Sequence, residues 1–199
     1  DMMDAVDKGD SAQFSEEEIL EPTDWVLMNF IMDARTGLGR FRDFKISNYQ
    51  LMMKLIDACK DHSIEEILQM EDVAERVSLY HEHNEMAKAQ IAKCSTVYDN
   101  LVVLDLTDQE TIYATNRFVI YAMYPDCNIS IHKMWGLKKQ NVVFAIGKSI
   151  TNRSSKTNVG ELCLKYGGGG HMNAGTCQVE TSKAETVLGE LIETITSDG

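Results

Sequence analysis

No stretch of the 199-residue sequence approaches the ~18 uninterrupted apolar residues of a membrane-spanning helix, and its start does not read as a signal peptide. The first residue is Asp1 rather than an initiator Met, so the expectation is a cut there. The cysteines lack pattern: Cys59, Cys94, Cys127, Cys163 and Cys177 are odd in number, scattered and without a C-x-x-C pair. That argues against a disulfide framework or a structural zinc and points to a reducing, cytoplasmic setting. Positive charge is also short, with 19 Lys and Arg against 31 Asp and Glu, for a net charge of −12. Two nucleotide-binding signatures are incomplete. Gly147-Lys148-Ser149 echoes a P-loop, but Val142 stands where its leading glycine belongs, and in the run beginning at Gly167 Met172 and Asn173 occupy the place of the third glycine of G-x-G-x-x-G.

What is present suffices for a core: 44% of the residues are hydrophobic, and the length allows one domain, or one plus a connecting segment. The few cations are concentrated. Between Ile131 and His171 stand Lys133, Lys138, Lys139, Lys148, Arg153, Lys156 and Lys165 against a single acid, Glu161, a window of +6 that leaves −18 for the remainder. An acidic body with one basic segment suits a compact phosphorylated ligand or a short nucleic acid better than a long duplex. The alternative is a solvated charge run.

Residues 1 to about 22 are acid-rich, with Asp1, Asp4, Asp7, Asp10 and Glu16 to Glu18, and end at Pro22. Ser47 with Gln50, and Ser63 with Glu66, have capping-box spacing ahead of helical apolar patterns. From Glu71 to Tyr98, Val73, Val77, Tyr80, Asn84, Ala87, Ile91 and Cys94 form one seam of a long connecting helix. The period then changes. Leu101 to Leu104 reads as a strand buried on both faces, and alternation over 129–135 and 142–146 predicts a hairpin around Gly136 to Gln140. Arg117 to Tyr124 reads as a helix capped by Asn116 and ended by Pro125. A helix from Val159 to Tyr166, a strand from Ala174 to Val179 and a last helix opened by Ser182 and Glu185 complete the chain. The fold class is therefore α/β (α+β): an N-terminal helical connecting segment with a long helix, then a mixed β-sheet domain flanked by helices.

The most specific local feature is Tyr166-Gly167-Gly168-Gly169-Gly170-His171-Met172-Asn173-Ala174-Gly175. Four glycines free the backbone for a loop whose N–H groups converge on phosphate oxygens, and His171 adds a donor. Upstream, Asn152, Arg153, Ser154 and Lys156 supply an amide, a guanidinium, a hydroxyl and an ammonium, all competent phosphate ligands. The alternative is a tight helix-to-strand turn with His171 packed beside it. Arg35, Arg40, Arg42 and Lys45, around Gly37 and Gly39, form a second cationic stretch, read either as a phosphate approach or as partners of Asp33 and Asp43. His81, Glu82, His83 and Glu85 read as ordinary helix residues rather than metal ligands, and Asp61-His62 as part of a helix start.

Gly168-Gly169-Gly170-His171 followed by Ala174-Gly175 resembles the glycine-histidine motif of the domain associated with Asp-His-His (DHH) phosphoesterases. Val6 to Phe14, Met32 to Phe41, Ile46 to Gln50 and Lys156 to Gly160 resemble the exopolyphosphatase-related branch of that family, so the likeness covers essentially the whole chain. One departure is Gly175-Thr176, where the family commonly has Ala-Gly. The resemblance implies a two-domain hydrolase in which aspartates and the Asp-His-His motif bind two divalent ions, manganese or magnesium, and the C-terminal domain holds the substrate's phosphates. It makes residues 1–22 the remnant of the catalytic domain, 23–98 a helical connection and 99–199 the substrate-binding domain. Asp7 or Asp10 would be the last metal-ligating aspartate, working only with upstream ligands. The fragment itself is expected to need no cofactor and to lack activity.

The implied function is that of the substrate-binding portion of a metal-dependent phosphoesterase acting on short oligonucleotides, phosphorylated nucleotides or polyphosphate. A non-catalytic nucleotide or nucleic-acid-binding module is the alternative, and a structural domain oligomerising through the long helix is a third.

Overall fold

The computed structural model describes residues 2–199, and Asp1 lies outside them. The chain divides into two compact units. One comprises the residues up to Gln90 together with Tyr113–Val119, and the other Ile91–Ile112 with Ile120–Gly199.

The first unit is helical: α1 (Met2–Ser11), α2 (Glu16–Leu20), α3 (Asp24–Met32), α4 (Asn48–Asp61), α5 (Ile64–Leu68) and α6 (Glu71–Cys94), whose last turn passes into the second unit. Ser47 and Ser63 each form the expected reciprocal capping box, with Gln50 and Glu66, and Ser15 forms a third with Glu18. The centre is aromatic and aliphatic, with Phe14, Phe30 and Phe118 rings 5.0 to 6.1 Å apart and Ile19, Ile31, Leu51 and Ile67 buried. Two of the polar side chains that enter it are well partnered. Arg76, 1% exposed, donates to the carbonyls of Asp72 and Ile46 and lies 4.0 Å over the Phe44 ring, and Asn116 bonds the Ile19 carbonyl and the Tyr80 hydroxyl.

On α6, Val73, Tyr80, Asn84, Ala87 and Ile91 of the predicted seam are buried, but so are Arg76, Leu79, His83 and Gln90, which widens the seam to a broad face. The helix stops at Cys94, four residues before the predicted end. Ser95–Tyr98, β-branched and aromatic, forms strand β1 instead and turns back through Asp99, whose φ is +48°.

The second unit is a six-stranded mixed sheet in the order β1-β2-β3-β4-β6-β5, with β2 (Leu101–Asp105), β3 (Ile129–Trp135), β4 (Val142–Lys148), β5 (Gly169–His171) and β6 (Ala174–Val179). Only β2 and β3 run parallel, and α7 (Val119–Met123) lies on the connection between them, starting two residues later than expected because Asn116 Oδ1 accepts the Phe118 N–H in a turn ahead of the helix rather than capping it. The β3–β4 hairpin forms as the alternation predicts. Ile129 and Ile131 of β3 share one face with Val142, Phe144 and Ile146 of β4, and pack against α8 (Val159–Lys165) and α9 (Ala184–Asp198) through Leu162, Val187, Leu191 and Ile195. One predicted cap is absent. A 3-10 turn over Thr181–Lys183 moves the start of α9 to Ala184, where no side chain caps the helix, so Ser182 does not act as the N-cap. Among the described residues no helix is long and apolar enough to cross a membrane.

Lys133, on the core face of β3 and 6% exposed, meets Asp105 of β2 at 2.8 Å and Glu185 of α9 at 2.6 Å. Burial pushes the Asp105 carboxyl up, but the Lys133 and Thr107 hydrogen bonds outweigh it and leave the group below its usual value. A depressed carboxyl contributes stability above its unfolded pKa of about 3.9 and loses it as pH falls through the lower folded value. Lys133→Met should therefore lower stability near neutral pH by roughly 1–3 kcal/mol, the scale of a charge-assisted hydrogen bond. It should also flatten the acid limb of a melting-temperature profile between about pH 5 and 2. An unchanged acid limb would show that this cluster does not set it.

Candidate phosphate-binding site

The site residues lie in the second unit. Asn158 opens α8 by accepting the Glu161 N–H. The helix ends in a Schellman turn, in which Gly167, at φ +75°, donates to the Leu164 carbonyl and Gly168 to the Cys163 carbonyl. The next residues do not form the expected phosphate loop. Gly169–His171 is an edge strand, pairing Gly169 with Thr176, Gly170 with Gly175 and His171 with Ala174. The reason is steric. A Cβ on Gly168 would stand 2.1 Å from the Thr176 carbonyl oxygen, and one on Gly160 of α8 would stand 2.9 Å from that of Gly170. Gly160 thus lets α8 approach β5 closely, and Gly168 lets the turn after α8 approach β6. Gly169 meets no such obstacle.

His171 ends this edge strand exposed, and its Nδ1 accepts the Asn173 N–H at 3.2 Å. An accepting Nδ1 leaves the ring proton on Nε2, which makes Nε2 a donor.

The second predicted group sits on the segment leaving β4. The Ser149 hydroxyl accepts the Thr151 and Asn152 N–H groups, turning the chain so that Arg153, whose Nε donates to the Ile150 carbonyl, is exposed. Ser154 donates its hydroxyl proton to Asn152 Oδ1 at 2.7 Å and accepts from Asn128 Nδ2 at 3.0 Å. Lys156 is exposed, with its N–H on the Gly199 carbonyl.

Lys148 joins the two groups. Its N–H donates to the Asn173 carbonyl in the turn after His171, and its Nζ donates to the Ser155 carbonyl at 3.1 Å, while Val159 N–H reaches the Met172 carbonyl. In the sequence Lys148 registers only as a basic residue and a false P-loop echo. Asn128 gives no sequence signal, because its role arises from strand pairing.

The other candidates fall elsewhere. Asp7 and Asp10 are exposed on α1 of the first unit, and the depression of about 330 Å³ there is lined by Asp4, Asp7, Lys8, Ser11 and Gln13 but not by Asp10. Among the described residues no three His, Cys, Asp or Glu side chains are grouped to hold a metal ion, so the residues present do not compose the divalent-ion site of the family. His83 accepts the Ala114 N–H and packs 4.2 Å from the Phe41 ring, and burial pushes its pKa down. Arg35 pairs with Asp33 at 2.8 Å, whereas Arg42 and Lys45 pair with Glu75 and Glu71 rather than with Asp43.

No protein-family model matches the chain, and no curated protein does. Among solved structures, it matches a pGpG-specific phosphodiesterase, PggH from Vibrio cholerae, at 64% identity and a TM-score of 0.93, over 100% of this chain and 67% of that one. An exopolyphosphatase-related protein from Bacteroides fragilis matches at 15% identity and a TM-score of 0.50, over 95% of this chain and 53% of that one, a likeness of fold. The chain belongs to the DHH family of phosphoesterases.

The two neighbouring glycines separate the steric requirement from mere flexibility. Gly168→Ala should lower the melting temperature by several degrees and speed amide exchange in β5 and β6, while Gly169→Ala, facing open space, should change stability by less than about 1 kcal/mol. Equal effects from both would overturn the packing explanation.

Proposed function

We propose that the chain is the substrate-holding portion of a metal-dependent phosphodiesterase that hydrolyses short 5′-phosphorylated oligonucleotides, with pGpG the first candidate. The observation that carries this reading is the 64% identity over the whole chain to a protein named as specific for pGpG. The site chemistry supports it. Exposed Arg153 and Lys156 supply positive charge, and His171 supplies an Nε2 donor. Phosphate oxygens are acceptors only and match such a set of donors.

The family's divalent ion, manganese or magnesium, would activate water at the scissile phosphorus. The described residues do not hold it, and Asp7 and Asp10 would contribute only beside further ligands. The role derived for this chain is to bind and orient the substrate, which lowers the entropic part of the barrier. Five unpaired thiols agree with a reducing, cytoplasmic setting.

Calorimetric titration with pGpG, in the presence of Mn²⁺ and with nucleoside monophosphate release followed in the same samples, tests the reading. Binding is expected, and His171→Ala should weaken it about tenfold, the scale of one hydrogen bond to a charged group. Unchanged affinity in that variant would remove His171 from the site. Binding without turnover would identify a holding module, and turnover would mean that the chain builds a working metal site.

A further inference from the structure

Beneath the exposed phosphate-binding segment runs a chain of four polar side chains with a fixed direction. Asn100 Nδ2 donates to Asn128 Oδ1 at 2.9 Å, Asn128 Nδ2 to Ser154 Oγ at 3.0 Å, and Ser154 Oγ to Asn152 Oδ1 at 2.7 Å. An asparagine amide can be turned over without changing its shape, so a chain of this kind could run either way in principle. Here the main chain removes the choice. The Ser154 N–H also points at the Asn152 side chain, 3.4 Å from Oδ1, so an acceptor must face it. Oδ1 is therefore turned inward, and the Ser154 hydroxyl must donate to it. That hydroxyl can then only accept from its other neighbour, which turns Asn128 Nδ2 toward Ser154.

Asn128 is the buried partner that this order requires. It is 5% exposed and its backbone is fixed on both sides, its N–H donating to the Asn100 carbonyl and its carbonyl accepting the Ser149 N–H. The far end of the chain is the Asn152 amide nitrogen, which makes a long 3.4 Å hydrogen bond to the Pro125 carbonyl. Such a bond exchanges readily for a stronger one to an anion.

We propose that Asn128 is a positioning residue. By donating to the Ser154 hydroxyl it leaves that hydroxyl's proton for Asn152 Oδ1, which reinforces the longer Ser154 N–H contact and keeps the Asn152 amide nitrogen turned away from Ser154, so that this amide joins Arg153 as a donor to the terminal phosphate of a 5′-phosphorylated dinucleotide. The inference rests on the phosphate-binding reading above. It adds that Ser154 contributes by orienting Asn152, and that selection of the terminal phosphate depends on a buried residue that does not touch the ligand.

The test is calorimetric titration of the full 199-residue chain with pGpG and with GpG, which lacks the terminal phosphate. Wild type is expected to prefer pGpG. Ser154→Ala and Asn128→Leu should each reduce that preference about tenfold, the scale of one hydrogen bond to a charged group, by weakening pGpG binding more than GpG binding. The double variant should be no weaker than the weaker single one, since residues acting in series are not additive. Ser154→Thr, which keeps the hydroxyl, should retain the preference. Should Asn128→Leu fail to fold, the exposed Ser154 pair still decides the matter. Equal preference in Ser154→Ala and Ser154→Thr, or losses that multiply in the double variant, would overturn the relay. Wild type that binds pGpG no better than GpG would instead overturn the phosphate reading, and the relay with it.

Discussion

The second unit depends on how closely α8 approaches the β5–β6 pair. Side chains normally hold a helix some 10 Å from a sheet. At Gly168 and Gly160 no side chain intervenes, and main-chain atoms come within a distance that a methyl group would occupy. That contact lets the Schellman turn feed directly into an edge strand, and the strand carries His171 to the surface. The thiols of Cys163 and Cys177 fill the space beneath, 0% and 1% exposed. Their mutual hydrogen bond, together with burial, pushes the Cys163 thiol up.

Electrostatics divides along the same lines. Cations of the first unit are largely taken up locally, Lys45 by Glu71, Lys54 by Asp72, Lys88 by Glu21 and Glu85, and Arg76 mainly by backbone carbonyls. In the basic window of the second unit Lys133 is absorbed by the Asp105 and Glu185 carboxylates, whereas Lys148 is bound to a neutral carbonyl and Lys138, Lys139, Lys156 and Lys165 are exposed. The positive potential of the window therefore stays at the surface, where it offsets the repulsion that a net charge of −12 would impose on an incoming polyanion. A short anion feels that local field, whereas a long one would also meet the acidic remainder, because screening sets in over about 10 Å.

Local chemistry was legible in the sequence, and long-range consequence was not. Ser47 and Ser63 cap as their spacing predicts, because a capping box is settled within four residues. The β3–β4 alternation likewise forms a hairpin. Ser182 with Glu185 has the same spacing and fails, since the 3-10 turn ahead of α9 claims those residues first. Ser95 to Tyr98 continued a helical seam in sequence but had β2 within reach, and pairing outweighed periodicity. The glycine run was visible as unusual, yet whether glycine serves a loop or close packing depends on Thr176 and Gly160, which only the fold brings alongside. The proposed site was thus half legible: Arg153, Lys156 and His171 by type and motif, Lys148 and Asn128 only through strands.

This difference bears on how the site discriminates. Exposed cations attract any phosphate, and their energies change little with its position because each charge is solvated and mobile. Discrimination between a terminal phosphate and an internal diester needs donors held in place, and holding requires a buried connection to the scaffold. Lys148 provides one such connection, tying the turn after His171 to the Ser155 carbonyl, and the ordered amide chain from Asn128 provides another. Affinity can then reside in the exposed side chains while selectivity resides in the buried ones. Substituting a surface cation should scale binding of all anions together, whereas loosening the buried connections should leave attraction intact and blur the choice between them.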